Sequence, residues 1–165
     1  MKSVARWLQA VPDRFTSYGL AKALSELYKT QVLSSAGLAI KAGSSAVVKQ
    51  GSAYVVVVNG VLVAVAANTD TAALSGANVA TATSNIYLLA IDATGTTTWY
   101  PGVAGATVGA IALPTIPFNV AVVGGILVQN ATGSNFVPGT TALDTGSLTV
   151  TYLNNVGPFF PVKSI

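Results

Sequence analysis

The sequence predicts a mainly β chain: an antiparallel β-sandwich or barrel-like domain preceded by a short N-terminal helical arm. About nine short runs rich in Val, Ile, Thr and Tyr recur from residue 38 onward, separated by Gly, Pro, Asn and Asp turn signals. Helical spacing is confined to residues 4–32. Of 165 residues, 52% are apolar and 8% charged, against about 25% charged in ordinary domains. That balance excludes a disordered chain, which needs low hydrophobicity and high charge. No internal period indicates a solenoid or propeller.

The arm comes first, over residues 1–36, with the β domain over 37–165. Val4, Leu8 and Val11 share one helical face, and Pro12-Asp13 then interrupts it. Leu20, Leu24, Leu27 and Gln31 resume at three- and four-residue spacing, with Ser17 placed as an N-cap and Gly19 weakening the first turn. Ser34-Ser35-Ala36-Gly37 is the junction. An apolar stripe of this kind either binds copies of itself or a partner, or packs on its own β domain. Trp7, Leu8, Leu20, Leu24 and Leu27 are therefore candidate interface residues.

In the β domain, residues 38–40 and 46–48 are short strands around Gly43-Ser44-Ser45. Residues 54–58 and 61–66 form the strongest local prediction, a hairpin about Asn59-Gly60, which accepts the positive φ angles of a type I′ turn. Both arms of it are apolar at consecutive positions, so both faces call for cover. A neighbouring subunit is one source, which makes Val56 and Val58 interface candidates. Residues 68–84 are polar and turn-rich, a long excursion of the kind that usually makes contacts. Residues 85–91 and 96–100 are strands joined by the turn Asp92-Ala93-Thr94-Gly95. After a Gly-rich connection, residues 108–113, 119–123 and 126–129 are strands, with Gly124-Gly125 as a bulge or bend between the last two. Residues 136–139 and 148–153 complete the pattern, and Pro158-Phe159-Phe160-Pro161 is an irregular tail. Trp99 is assigned to the core. Phe159 and Phe160, near a terminus like Trp7, are assigned to contacts, since large aromatics dominate interface energies.

Charge is unevenly placed. Lys2, Arg6, Arg14, Lys22, Lys29, Lys41 and Lys49 face only Asp13 and Glu26, whereas residues 50–162 hold no Lys or Arg and three acids, Asp70, Asp92 and Asp144. The cations are spread singly, without aromatic interleaving, so a solvated helix face is the reading and no nucleic-acid partner is expected. A body this poor in charge is expected to bury its outside against copies of itself or a larger partner.

Several chemistries are excluded by composition. With no Cys and no His, there are no disulfides, thiolate zinc sites, Cys nucleophiles or imidazole-based triads. Asp92 and Asp144 are the pair to weigh for acid/base work, which needs two carboxylates about 5–10 Å apart across a cleft. Both sit in turn sequences that a capping role explains. The glycines over 102–109 lack the Lys-Ser/Thr ending of a phosphate loop. No cofactor, no metal and no catalytic residues are expected. Residues 1–11 lack an unbroken apolar core, and the most apolar window, 54–67, falls short of the about 20 residues a membrane helix needs. No membrane partner is expected, and synthesis is expected in the cytoplasm.

The run Ile126-Leu127-Val128-Gln129-Asn130-Ala131-Thr132-Gly133-Ser134-Asn135-Phe136-Val137-Pro138-Gly139-Thr140-Thr141-Ala142-Leu143-Asp144 resembles a segment common in small structural proteins of tailed bacteriophages, typically encoded close to the major capsid protein. Residues 87–100 and the Leu113-Pro114 connection fit the same pattern. The resemblance covers about residues 50–153 and leaves the arm unmatched. It implies a head decoration (cement) or head-fibre protein, a homotrimer that binds the major capsid protein on the exterior of the phage head and reinforces capsomer contacts. Two other readings stay open at this point. One is a tail-fibre or receptor-binding module recognising host glycans through residues 68–84 and Trp99-Tyr100. The other is a small polysaccharide hydrolase using Asp92 and Asp144.

Overall fold

The computed structural model describes residues 28–158. Ten strands appear in it, and every pairing between them is antiparallel. They are β1 (Gln31–Val32), β2 (Leu38–Ile40), β3 (Val48–Gln50), β4 (Tyr54–Val58), β5 (Val61–Val65), β6 (Thr69–Asp70), β7 (Thr83–Asp92), β8 (Thr97–Pro101), β9 (Val120–Asn130) and β10 (Leu148–Asn154). They form three sheets, ordered β1-β4-β5, β10-β9-β7-β8 and β2-β3-β6, and close no barrel. The mainly β, antiparallel architecture is as the sequence predicts. The helical arm lies outside the described residues.

The three sheets share one core. Alternation along β4 sends Tyr54, Val56 and Val58 inward, and alternation along β7 does the same for Tyr87, Leu89 and Ile91. Leu38 and Val48 from the small sheet join them, with Val123, Ile126 and Val128 from β9. The Asn59-Gly60 turn forms as expected, with φ of 51° and 81°. Trp99 is buried, and its indole N–H donates to the Thr71 hydroxyl at 3.2 Å and the Ala72 carbonyl at 3.0 Å.

Four local expectations change. Gln31 and Val32, inside the stretch of helical spacing, form a strand that pairs with β4. Residues 119–123 and 126–129 are one continuous strand, because β7 and β10 hold β9 from both sides through Gly124 and Gly125. The extra residue sits at Val123, where the β7 register slips between Leu89 and Ala90. Residues 108–113 find no neighbour to form a ladder; they make a single 3-10 turn, Val108–Ala110, and one bridge from Ala112 to Val103. Residues 136–139 form no strand and make only a single bridge, Phe136 to Val79, which with the β6–β3 pairing ties the 68–84 excursion to the body as Leu74 and Val79 enter the core.

The β7–β8 turn carries its own electrostatic clasp. The Asp92 carboxylate accepts from the Thr94 hydroxyl at 2.6 Å, the Thr94 N–H at 2.8 Å and the Thr96 N–H at 3.0 Å. These bonds, the Thr94 side chain foremost, hold the carboxyl below its ordinary range. A carboxyl lowered by folding contributes stability above its unfolded value of about 3.9 and loses it as pH falls through the folded value. We expect amide exchange of the turn, taken relative to the intrinsic rate at each pH, to be flat from neutrality to about pH 4 and to quicken below it. In Asp92→Asn that acid-dependent quickening should be absent.

Candidate interaction surface

The carboxylates singled out in the sequence hold turns. Asp92 does so as described, and Asp144 accepts from the Ser44 N–H at 2.8 Å, pinning the β2–β3 turn from a hundred residues away. Lys41 and Asp70 form a half-exposed ion pair at 2.5 Å, of a kind that contributes little to stability. Among the described residues no group of three or more Asp, Glu, His or Cys is placed to hold a metal ion. No described helix is long and apolar enough to cross a membrane.

What the surface offers is apolar. Val56 and Val58, expected at an interface, are both 0% exposed. The correction has a simple cause: β4 alternates strictly, so those two fill the core and Val55 and Val57 face outward. Cross-strand register sets Val55 against Ala64 and Val57 against Leu62, while Leu33 donates its N–H to the Val55 carbonyl at 2.9 Å. The outer face of the β1–β4–β5 sheet is thus built from Leu33, Val55, Val57, Leu62 and Ala64, with Gln31 opposite Val57 on the β1 edge, and Leu62 is 66% exposed.

A second apolar surface lies on the outer side of the four-stranded sheet. Leu88, Ala90 and Val122 form a small cluster there, covered in part by Ile116. Beside it opens a groove of about 190 Å³ lined by Ile86, Leu88, Leu113, Val122, Leu153 and the two glycines 124 and 125. The register explains the hollow. Gly125 stands between Leu88 on β7 and Leu153 on β10 and puts no side chain between them. Leu113 and Leu153 on its rim are 53% and 40% exposed.

The two ends of the described chain leave the body together. Val32 and Gly157 exchange both backbone hydrogen bonds, at 3.1 and 2.7 Å. Asn59 and Gly60, at the β4–β5 turn, donate to the Thr30 hydroxyl and the Lys29 carbonyl at 3.1 and 2.8 Å. Residues 28–158 hold Lys29, Lys41 and Lys49 against Asp70, Asp92 and Asp144 and are formally neutral, so the net +3 belongs to the two terminal segments. Of the interface candidates, Trp7, Leu8, Leu20, Leu24, Leu27, Phe159 and Phe160 lie outside the described residues, in those same segments. The outward set Val55, Val57 and Leu62 escaped the sequence reading because a run of four valines does not announce its own phase. Compared with family models, curated proteins and solved structures, the chain matches none.

Proposed function

We propose that the protein is a virion structural protein, a capsid decoration (cement) protein that binds the outer surface of a tailed-phage head as a homotrimer. The observation that carries this reading is the joint exit of the two terminal segments. The residues beyond those paired ends bear all of the net charge and Trp7, Phe159 and Phe160, while the body is neutral and β-rich. Such a division suits a rigid module held to a shell by its ends. Aromatic anchors flanked by cations are efficient at a protein interface. The phage-like run over residues 126–144 supports the same reading. Its core of Val128, Asn130 and Phe136 is buried, and Asn130 donates to the Val79 and Ser134 carbonyls at 3.1 and 3.0 Å.

The test is binding of purified protein to phage heads that lack it. Saturable binding at repeated exterior positions is expected, with loss in Trp7→Ala combined with Arg6→Glu. Immunogold labelling of tail tips, together with glycan-array binding, would instead favour a receptor-binding module.

Self-association has its own test in the groove. Leu113→Asp and Leu153→Asp alter side chains that are already exposed, so each should change stability by less than about 0.5 kcal/mol. Light scattering should give an oligomer for the parent protein and a monomer for the double variant. An unchanged mass would remove the groove from the subunit contact.

A further inference from the structure

We infer that β5 is an adhesive edge: where copies are crowded, it pairs antiparallel with β5 of a second copy about a twofold axis at Val63. The two-residue turn makes Val58 and Val61 the closing hydrogen-bonded pair of the β4–β5 hairpin. Alternation then gives the remaining bonds between the two strands to Val56–Val63 and Tyr54–Val65, and turns the N–H and C=O groups of Leu62 and Ala64 away from β4. The far side of β4 has the matching phase, since the Val55 carbonyl accepts from the Leu33 N–H there. Among the described residues, no backbone group pairs with those of Leu62 and Ala64 on the outer side of β5.

Sheet edges are ordinarily blunted by charge, proline, a bulge or shortness. β6 is two residues long and carries the Asp70 carboxylate, and β8 ends in Pro101. On the β1 side of the same sheet, Val32 exchanges both of its backbone hydrogen bonds with Gly157. β5 has none of these devices. Val61-Leu62-Val63-Ala64-Val65 holds no charge and no proline and pairs with β4 without a register shift. Leu62 is 66% exposed and Val61 48%.

A second copy is the occupant this edge matches. Setting Leu62 against the second copy's Ala64, and Ala64 against its Leu62, uses all the outward groups of both strands in four hydrogen bonds. The same register lays a large side chain beside a small one twice over on the outer face. It joins two three-stranded sheets into one of six strands. Such a contact is isologous and stops at two copies; in a homotrimer it would link one trimer to the next. Four hydrogen bonds and two leucines do little against the freedom lost on association. Pairing is therefore sparse in dilute solution and forms at high local concentration, with or without a phage head.

Because the chain has no cysteine, one introduced thiol reports on its own twofold mate. In this register Val63 faces the second copy's Val63 in a non-hydrogen-bonded pair, with Cα atoms about 4.5 Å apart, within disulfide range. Val61 faces Val65 instead and lies about 14 Å along the strand from its own mate. Full-length Val63→Cys and Val61→Cys proteins are oxidised at high concentration, and linked dimers are followed over time. Random collision favours Val61, whose side chain is the more exposed of the two. The expected result is the reverse, with Val63→Cys linking about tenfold faster. Adding Leu62→Lys to Val63→Cys should remove that advantage, because like charges then meet across the seam. In the unaltered chain, amide exchange at Leu62 and Ala64 should slow as concentration is raised. Equal rates, faster linking through Val61, or a Leu62→Lys variant that links as fast as its parent would overturn the pairing. Exchange at Leu62 and Ala64 that ignores concentration would overturn it without any substitution.

Discussion

Phe136→Ala is expected to lower the free energy of unfolding by about 3–5 kcal/mol, the range for truncating a fully buried aromatic. Phe136 is 0% exposed, and its ring meets that of Tyr87 edge-on, with centroids 6.3 Å apart and planes at 72°. The loss would not stop at the cavity. Phe136 and Val79 exchange both backbone hydrogen bonds at 2.9 Å, and Asn130 donates to the Val79 carbonyl beside them. This junction ties the 68–84 excursion to the chain following β9. Urea unfolding should show a lower midpoint, and amide exchange should quicken first at Val79. A Phe136→Leu variant, which keeps most of the volume, should recover much of the loss. Equal destabilisation by both variants would mean that the backbone junction, not the ring, holds the excursion down.

Phe136 also shows where a sequence is legible and where it stops being so. The pattern places it in a strand over 136–139, yet no strand forms there, and its value comes from a partner 57 positions earlier in the chain. The same holds for the Asp144 carboxylate at the Ser44 N–H. By contrast, the β4–β5 hairpin pairs strands only a few residues apart and the Asp92 turn closes within four, so local chemistry predicts both. The phase of the valine run was hidden for another reason. When both faces of a strand are apolar, alternation carries no signal, and only the tertiary structure says which residues fill the core. That ambiguity hid the fact that Val56 and Val58 fill the core while Val55, Val57 and Leu62 face outward.

Gly124 is the clearest case of a residue whose role reverses on folding. As a pair, Gly124-Gly125 suggests an interruption, yet β9 runs through both. Glycine is required there because the strands come too close for anything else. A Cβ on Gly124 would press into the Leu153 carbonyl oxygen of β10 and lie 2.8 Å from the Leu38 Cδ1 atom. The leucine side chain can turn aside; the backbone carbonyl cannot move without opening the β9–β10 ladder. Gly124→Ala is therefore expected to cost about 2–3 kcal/mol, toward the upper end of what overpacking costs. Gly146 gives the comparison, since a Cβ there meets nothing within 4 Å. Gly146→Ala should be neutral or stabilise by up to about 1 kcal/mol by reducing the freedom of the unfolded chain. Both are read as shifts of the urea midpoint at constant slope. If Gly124→Ala unfolded at the parent's midpoint, the close packing of β10 on β9 would have to be abandoned. The groove beside Leu153, which depends on that packing, would go with it.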